Sequence, residues 1–124
     1  MTPQIRNMKI RHKLLKRHGK IRSRRFREGG YEHFNIRVFV DGDIEDLQSV
    51  EYELHSTFRN PHRVVKNSDH GFALDIWTWG EFDIPVTLHF RDGSTEQVVY
   101  PLTYSGELPA SDSAYTNEGP TAEG

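Results

Sequence analysis

The chain has 124 residues, no cysteine, 35% hydrophobic and 27% charged residues, which is room for one small domain with unpacked ends. The lack of cysteine excludes disulfides, thiol catalysis and cysteine-ligated zinc. No apolar run is long enough to span a bilayer and no secretory signal pattern appears. These features fit a soluble protein, cytoplasmic in a bacterium or nuclear in a eukaryote.

A net charge of −2 conceals a division: residues 1–27 hold eleven of the sixteen Lys and Arg and no acid, whereas residues 28–124 hold five basic and eighteen acidic side chains. The sequence therefore predicts a basic flexible arm over residues 1–30, a folded body over 31–107 and a disordered acidic tail over 108–124, with Gly29-Gly30 as the hinge. Any helix in the arm would fall around residues 5–17, opposed by like-charge repulsion and interrupted at Gly19. The arm suits salt-sensitive nucleic-acid binding through residues 1–27, attraction to an anionic membrane surface, or folding back on the acidic body. A transit peptide fits poorly, because the arm has one serine and no amphipathic face.

Beyond the hinge the hydrophobic period is two. Phe34, Ile36, Val38 and Val40 alternate in "YEHFNIRVFV", and Val50, Tyr52 and Leu54 alternate against Glu51 and Glu53. "GFALDIW" places Phe72, Leu74 and Ile76 on one side, and "IPVTLHF" does the same for Ile84, Val86, Leu88 and Phe90. Val98, Tyr100, Leu102 and Tyr104 form the last strand pattern, joined to the previous one by a turn at Arg91-Asp92-Gly93-Ser94. Arg63-Val64-Val65 is a shorter candidate strand. Pro85 and Pro101 place their strands at edges or bulges. Five or six antiparallel strands without a convincing helix predict an all-β, immunoglobulin-like sandwich that stands without residues 1–27 and 110–124.

No enzyme constellation is present. His55, His62 and His70 lack metal-ligand spacing, and Asp41-Gly42-Asp43 departs from a calcium loop at Asp46 and Tyr52. No nucleophile motif or paired acids of evident purpose appear, so neither metal nor cofactor is expected. What stands out is that both tryptophans lie in Trp77-Thr78-Trp79, beside Gly80 and Phe82. With Phe58 they are either the plug of a small sandwich or a slot for a flat ligand.

"VEYELHSTFRNPHRVV" followed by "WTWGEFDIPVTLHFRDGS" resembles the YEATS domain family, through Leu54, His55, Phe58, Pro61, Arg63 and Val64 and then Trp79, Gly80, Glu81 and Phe82. The resemblance covers residues 34–104 and points to a compact bacterial-type member, with 31–107 as the YEATS-like sandwich. It implies a reader of acyl-lysine, acetyl or crotonyl, on a protein or peptide partner. Phe58 and Trp79 would wall the slot with His55 in support. Thr57 would supply a hydroxyl, the Trp79 backbone an N–H, and Gly80 close approach. Trp77 and Thr78 complete the implied site, Trp77 also serving as a buried strand residue, and Tyr31 or Phe34 would line it from the first strand. Thr78 stands where the family has glycine. The rival readings are a plain protein-interaction sandwich and nucleic-acid binding through the arm.

Overall fold

The computed structural model describes residues 4–25 and 32–118. In chain order the strands are β1 (Gln4–Ile5), β2 (Met8–Leu14), β3 (Lys16–Arg17), β4 (Lys20–Ile21) and β5 (Ser23–Arg25). They continue with β6 (Glu32–Gly42), β7 (Leu47–Glu53), β8 (His62–Val65), β9 (Leu74–Thr78), β10 (Phe82–Phe90) and β11 (Thr95–Leu102). One sheet has β6 at its centre. β2 lies beside it from Met8↔Gly42 to Leu14↔Ile36, β5 takes over at Ser23↔Phe34, and β9 holds the other side. The other sheet runs β11-β10-β7-β8, all antiparallel. The architecture is the all-β, immunoglobulin-like sandwich that the strand pattern implied.

Period-two burial explains why these segments pair. Ile36, Val38 and Val40 of β6 face Val50 and Tyr52 of β7 and Ile84, Val86, Leu88 and Phe90 of β10 across one continuous core. Pro85 lies before the β7 ladder begins at Val86, so it pairs with β11 alone, and Pro101 is on the edge strand. The strand expected from Phe72 begins at Leu74. Gly71, at φ +74, lets the chain turn against β6, where a Cβ would sit 2.1 Å from the Val40 carbonyl oxygen. That turn buries Phe72, whose carbonyl accepts the Tyr52 hydroxyl at 2.7 Å.

The arm requires a correction. Residues 8–14 are neither flexible nor helical but form β2, because Met8 and Ile10 point into the core while Lys9, Arg11 and Lys13 alternate onto the solvent face. Ile21 and Ser23 are also buried. Repulsion among the cations is relieved by acids of the body: Arg11 meets Asp41 at 3.0 Å, and Arg6 lies 3.8 Å from Glu96. The tail is corrected likewise as far as residue 118. Thr116 N donates to the Ile21 carbonyl at 2.9 Å and Glu118 N to that of Ser23 at 2.7 Å, laying the tail parallel to β4 and β5. Arg22 clasps Glu118 with two bonds of 2.8 and 2.9 Å, and Arg17 lies 3.3 Å from the same carboxylate. Of the three readings of the arm, the geometry follows folding back on the acidic body. The Gly29-Gly30 hinge, Tyr31 and residues 119–124 lie outside the described residues.

Candidate functional site

Two loops meet at one end of the sandwich. The first joins β7 to β8, and Arg63 holds its shape by donating to the carbonyls of Asn60 at 2.5 Å and Arg59 at 2.8 Å. Leu54 N donates to Pro61 O at 2.8 Å and closes the loop. Inside it the Phe58 amide bonds the His55 carbonyl at 2.9 Å. The His55 ring faces Thr57, with Nδ1 accepting the Thr57 N–H at 3.2 Å and lying 3.0 Å from its hydroxyl. Pro61 and Arg63 in the sequence motif are thus the closure and brace of the loop that carries His55, Thr57 and Phe58.

The second loop joins β9 to β10. Ile76 and Thr78 face the core and Trp77 faces outward, after which the chain leaves strand geometry. The Thr78 hydroxyl donates to the Gly80 carbonyl at 2.8 Å and accepts the Gly80 N–H at 3.3 Å, a local turn that lifts Trp79 out to 49% exposure. Glu81 accepts the amides of Tyr104 at 2.6 Å and Ser105 at 2.9 Å. Those two backbone bonds, Ser105 first, hold its carboxyl below the usual range. Glu81 therefore fastens the loop to the chain beyond β11.

Between the loops lies an open cavity of about 100 Å³. His55, Thr57 and Phe58 line it from the first loop, and Thr78, Trp79 and Gly80 from the second. Phe82 forms its aromatic base, 5.4 Å from the Phe58 ring and 6.2 Å from that of His55. Six of the seven residues expected at the slot are brought together. Trp77 is the exception: it lies on the outer face of β9, half-buried, and lines an adjoining groove instead. Nor is it a core residue, since the inward positions of β9 belong to Ile76 and Thr78. Phe34 is turned away from the slot, packing on Tyr104 and Tyr115 beside a separate cavity of about 590 Å³. A Cβ at Gly80 would meet nothing within 4 Å, so the protein's own packing does not require glycine there. Sequence reasoning left Glu81 and Phe82 out of the site, although both stood in the Trp-Gly-Glu-Phe motif.

Of the histidines weighed as ligands, His62 sits 2.8 Å from both Glu51 and Glu53 on the far sheet, and His70 lies in the turn before β9. Among the described residues no group of three His, Asp or Glu could hold a metal ion. Within the same residues no helix is long and apolar enough to cross a membrane.

An immunoglobulin-like sandwich with two aromatic-bearing loops converging on a small slot defines the structural class of the domain. The chain matches the model of the prokaryotic YEATS domain over residues 34–103, and it belongs to that family. It is 40% identical over 74 residues to the Protein AF-9 homolog of Eremothecium gossypii, covering 55% of this chain and 35% of that one. Identity to the Arabidopsis thaliana Transcription initiation factor TFIID subunit 14b is 30% over 91 residues, 63% of this chain and 33% of the relative. The match thus spans about a third of these curated relatives. Among solved structures, the Yaf9 YEATS domain recognizing an H3K122suc peptide aligns with a TM-score of 0.58 at 20% identity, covering 86% of this chain and 82% of that one. The Yaf9 YEATS domain bound to H3K27ac gives 0.54 at 20% identity, with coverage of 90% and 81%. At these identities the likeness is one of fold.

Proposed function

We propose that this protein is a non-enzymatic reader that binds acetylated or crotonylated lysine on a protein or peptide. The observation that supports this best is the slot itself, with Phe58 and the half-exposed Trp79 brought together across a cavity lined by the Thr57 hydroxyl. At about 100 Å³ the cavity is well below the few hundred Å³ typical of cofactor sites, and it suits a short acyl chain. Two structural neighbours are YEATS domains, one recognizing an H3K122suc peptide and one bound to H3K27ac, which supports the reading by analogy of fold.

Each residue has a physical role. Because His55 Nδ1 accepts the Thr57 N–H, the hydroxyl also faces a lone pair, so its proton turns to the ring and its oxygen is left to accept the acyl-amide N–H. The Trp79 backbone N–H is assigned to the acyl oxygen. A planar amide and an unsaturated acyl chain stack between Phe58 and Trp79, whereas an ammonium would lose its hydration there. Thr78, in the family's glycine position, presets the turn that carries Trp79.

Calorimetric titration with three peptides of one sequence, carrying unmodified, acetylated or crotonylated lysine, tests the reading. Binding at least tenfold tighter for an acylated form is expected, since an amide left unpaired in the slot loses about 1–3 kcal/mol and the buried charge more. Equal binding of all three would contradict it and favour a plain interaction sandwich.

A further inference from the structure

Whereas Glu81 is the charged acid in the lining of the slot, the groove beside it is lined by arginines. It shares the Phe58 wall, measures about 350 Å³, and is lined further by Arg59, Asn60, Arg63, Asp75 and Trp77. The outward indole of Trp77 lies under guanidinium groups, with the Arg24 carbon 3.7 Å and the Arg22 carbon 5.2 Å from the ring centroid. Arg37 forks Asp75 with bonds of 2.7 and 3.0 Å, and Arg22 forks Glu118. Five guanidinium groups (Arg22, Arg24, Arg37, Arg59 and Arg63) thus stand against two carboxylates, both already held in ion pairs. Among the described residues the Arg63 hydrogen bonds go to neutral carbonyls, so its charge persists at the loop. This local excess is positive on a molecule whose overall charge is −2.

A lysine side chain entering the slot brings its own backbone to the slot's mouth, and a neighbouring segment that passes over Phe58 enters this groove. Resting on the acyl-lysine reading above, we infer that the groove selects an acidic flank: the segment beside the acyl-lysine carries Asp or Glu, and Arg59 is a specificity-determining residue that meets it. A basic flank would face the guanidinium excess and be disfavoured. A peptide flank is favoured over nucleic acid because the groove shares the Phe58 wall with the slot and its aromatic, Trp77, has one face engaged by Arg24.

The test uses the full chain and acyl-lysine peptides of equal length with Asp/Glu, Ser/Gln or Lys/Arg at the flanking positions, measured by calorimetry at low and high salt. Roughly fivefold tighter binding of the acidic than of the neutral flank is expected at low salt, with the difference fading at high salt. Arg59→Gln should shrink that ratio to about two or less while leaving affinity for the neutral-flank peptide in place. Equal or stronger binding of the basic flank, with acylation still required, would overturn this inference and leave the reader function standing. Loss of any preference for acylated over unmodified lysine would instead overturn the reader function and this inference together. Displacement of the acidic-flank peptide by a single-stranded oligonucleotide binding more tightly than it would also overturn it, assigning the face to nucleic acid.

Discussion

Trp77 and Trp79 stand two positions apart, and side chains two apart on a strand share a face, yet these two meet different surroundings. Thr78 separates them by turning the chain through its bonds to Gly80. Trp79→Ala is expected to leave a folded domain with acyl-lysine binding weaker by about 1–3 kcal/mol, as for other aromatic stacking platforms. Trp77→Ala removes an outward ring capped by Arg24, so its cost to stability should be near 1–2 kcal/mol rather than the 3–5 kcal/mol typical of a buried aromatic. Thermal denaturation and calorimetry on both variants check the pair, and a Trp79→Ala protein that unfolds would show that ring to be structural. Thr57→Val should weaken binding by roughly 1 kcal/mol with little change in melting temperature, because the residue is exposed and volume is conserved. Which tryptophan was which could not be read from the triplet alone: the motif placed Trp79 in a loop, but the buried hydroxyl of Thr78 that turns the chain has no signature in hydrophobic periodicity.

At the scale of elements, β6, β7, β9, β10 and β11 were legible because their inward apolar residues recur at period two over most of each strand, whereas β8, with adjacent Val64 and Val65, stood out only as a short candidate. β2 was not. Its inward residues, Met8, Ile10 and His12, are diluted by a histidine whose ring lies 2.5 Å from the Tyr100 hydroxyl and 2.8 Å from Glu107. That pattern reads as polar until its partners are known. The segment holding Thr116 and Glu118 was illegible for a different reason: its pairing to β4 and β5 rests on backbone bonds and one ion pair, which composition cannot reveal. That ion pair yields a pH dependence. Hydrogen bonding to Arg22, the largest cause, holds the Glu118 carboxyl at about 2, below its ordinary 4.5. Its contribution is therefore complete above about pH 5 and is lost as pH falls toward 2, on the order of 1–2 kcal/mol. Glu118→Gln should lower the denaturation midpoint near neutral pH and converge with wild type in acid. Parallel curves for the two proteins would contradict the assignment.

For the molecule as a whole, the charge asymmetry was legible but its meaning was not. The cationic first quarter looked like a free arm, whereas Met8, Ile10 and Ile21 are core residues and Arg11, Arg17 and Arg22 meet acids of the body and tail. Deleting residues 1–27 and 110–124 is therefore expected to abolish the cooperative thermal transition, since burial of each such aliphatic side chain is worth about 2–5 kcal/mol and small domains have only 5–15 kcal/mol in all. A trimmed chain that melts cooperatively near the full-length temperature would show the first strands to be dispensable. The proposed reading of acylation by the slot between Phe58 and Trp79 can be tested directly. With only two tryptophans, the two indole N–H signals of the full chain, assigned with Trp77→Phe and Trp79→Phe, can be followed by NMR during titration with a neutral-flank peptide. If the slot reads acylation, the Trp79 signal shifts and saturates with the acetylated or crotonylated peptide and stays still with the unmodified one. A Trp79 signal that moves equally for both, or for neither, would contradict that reading.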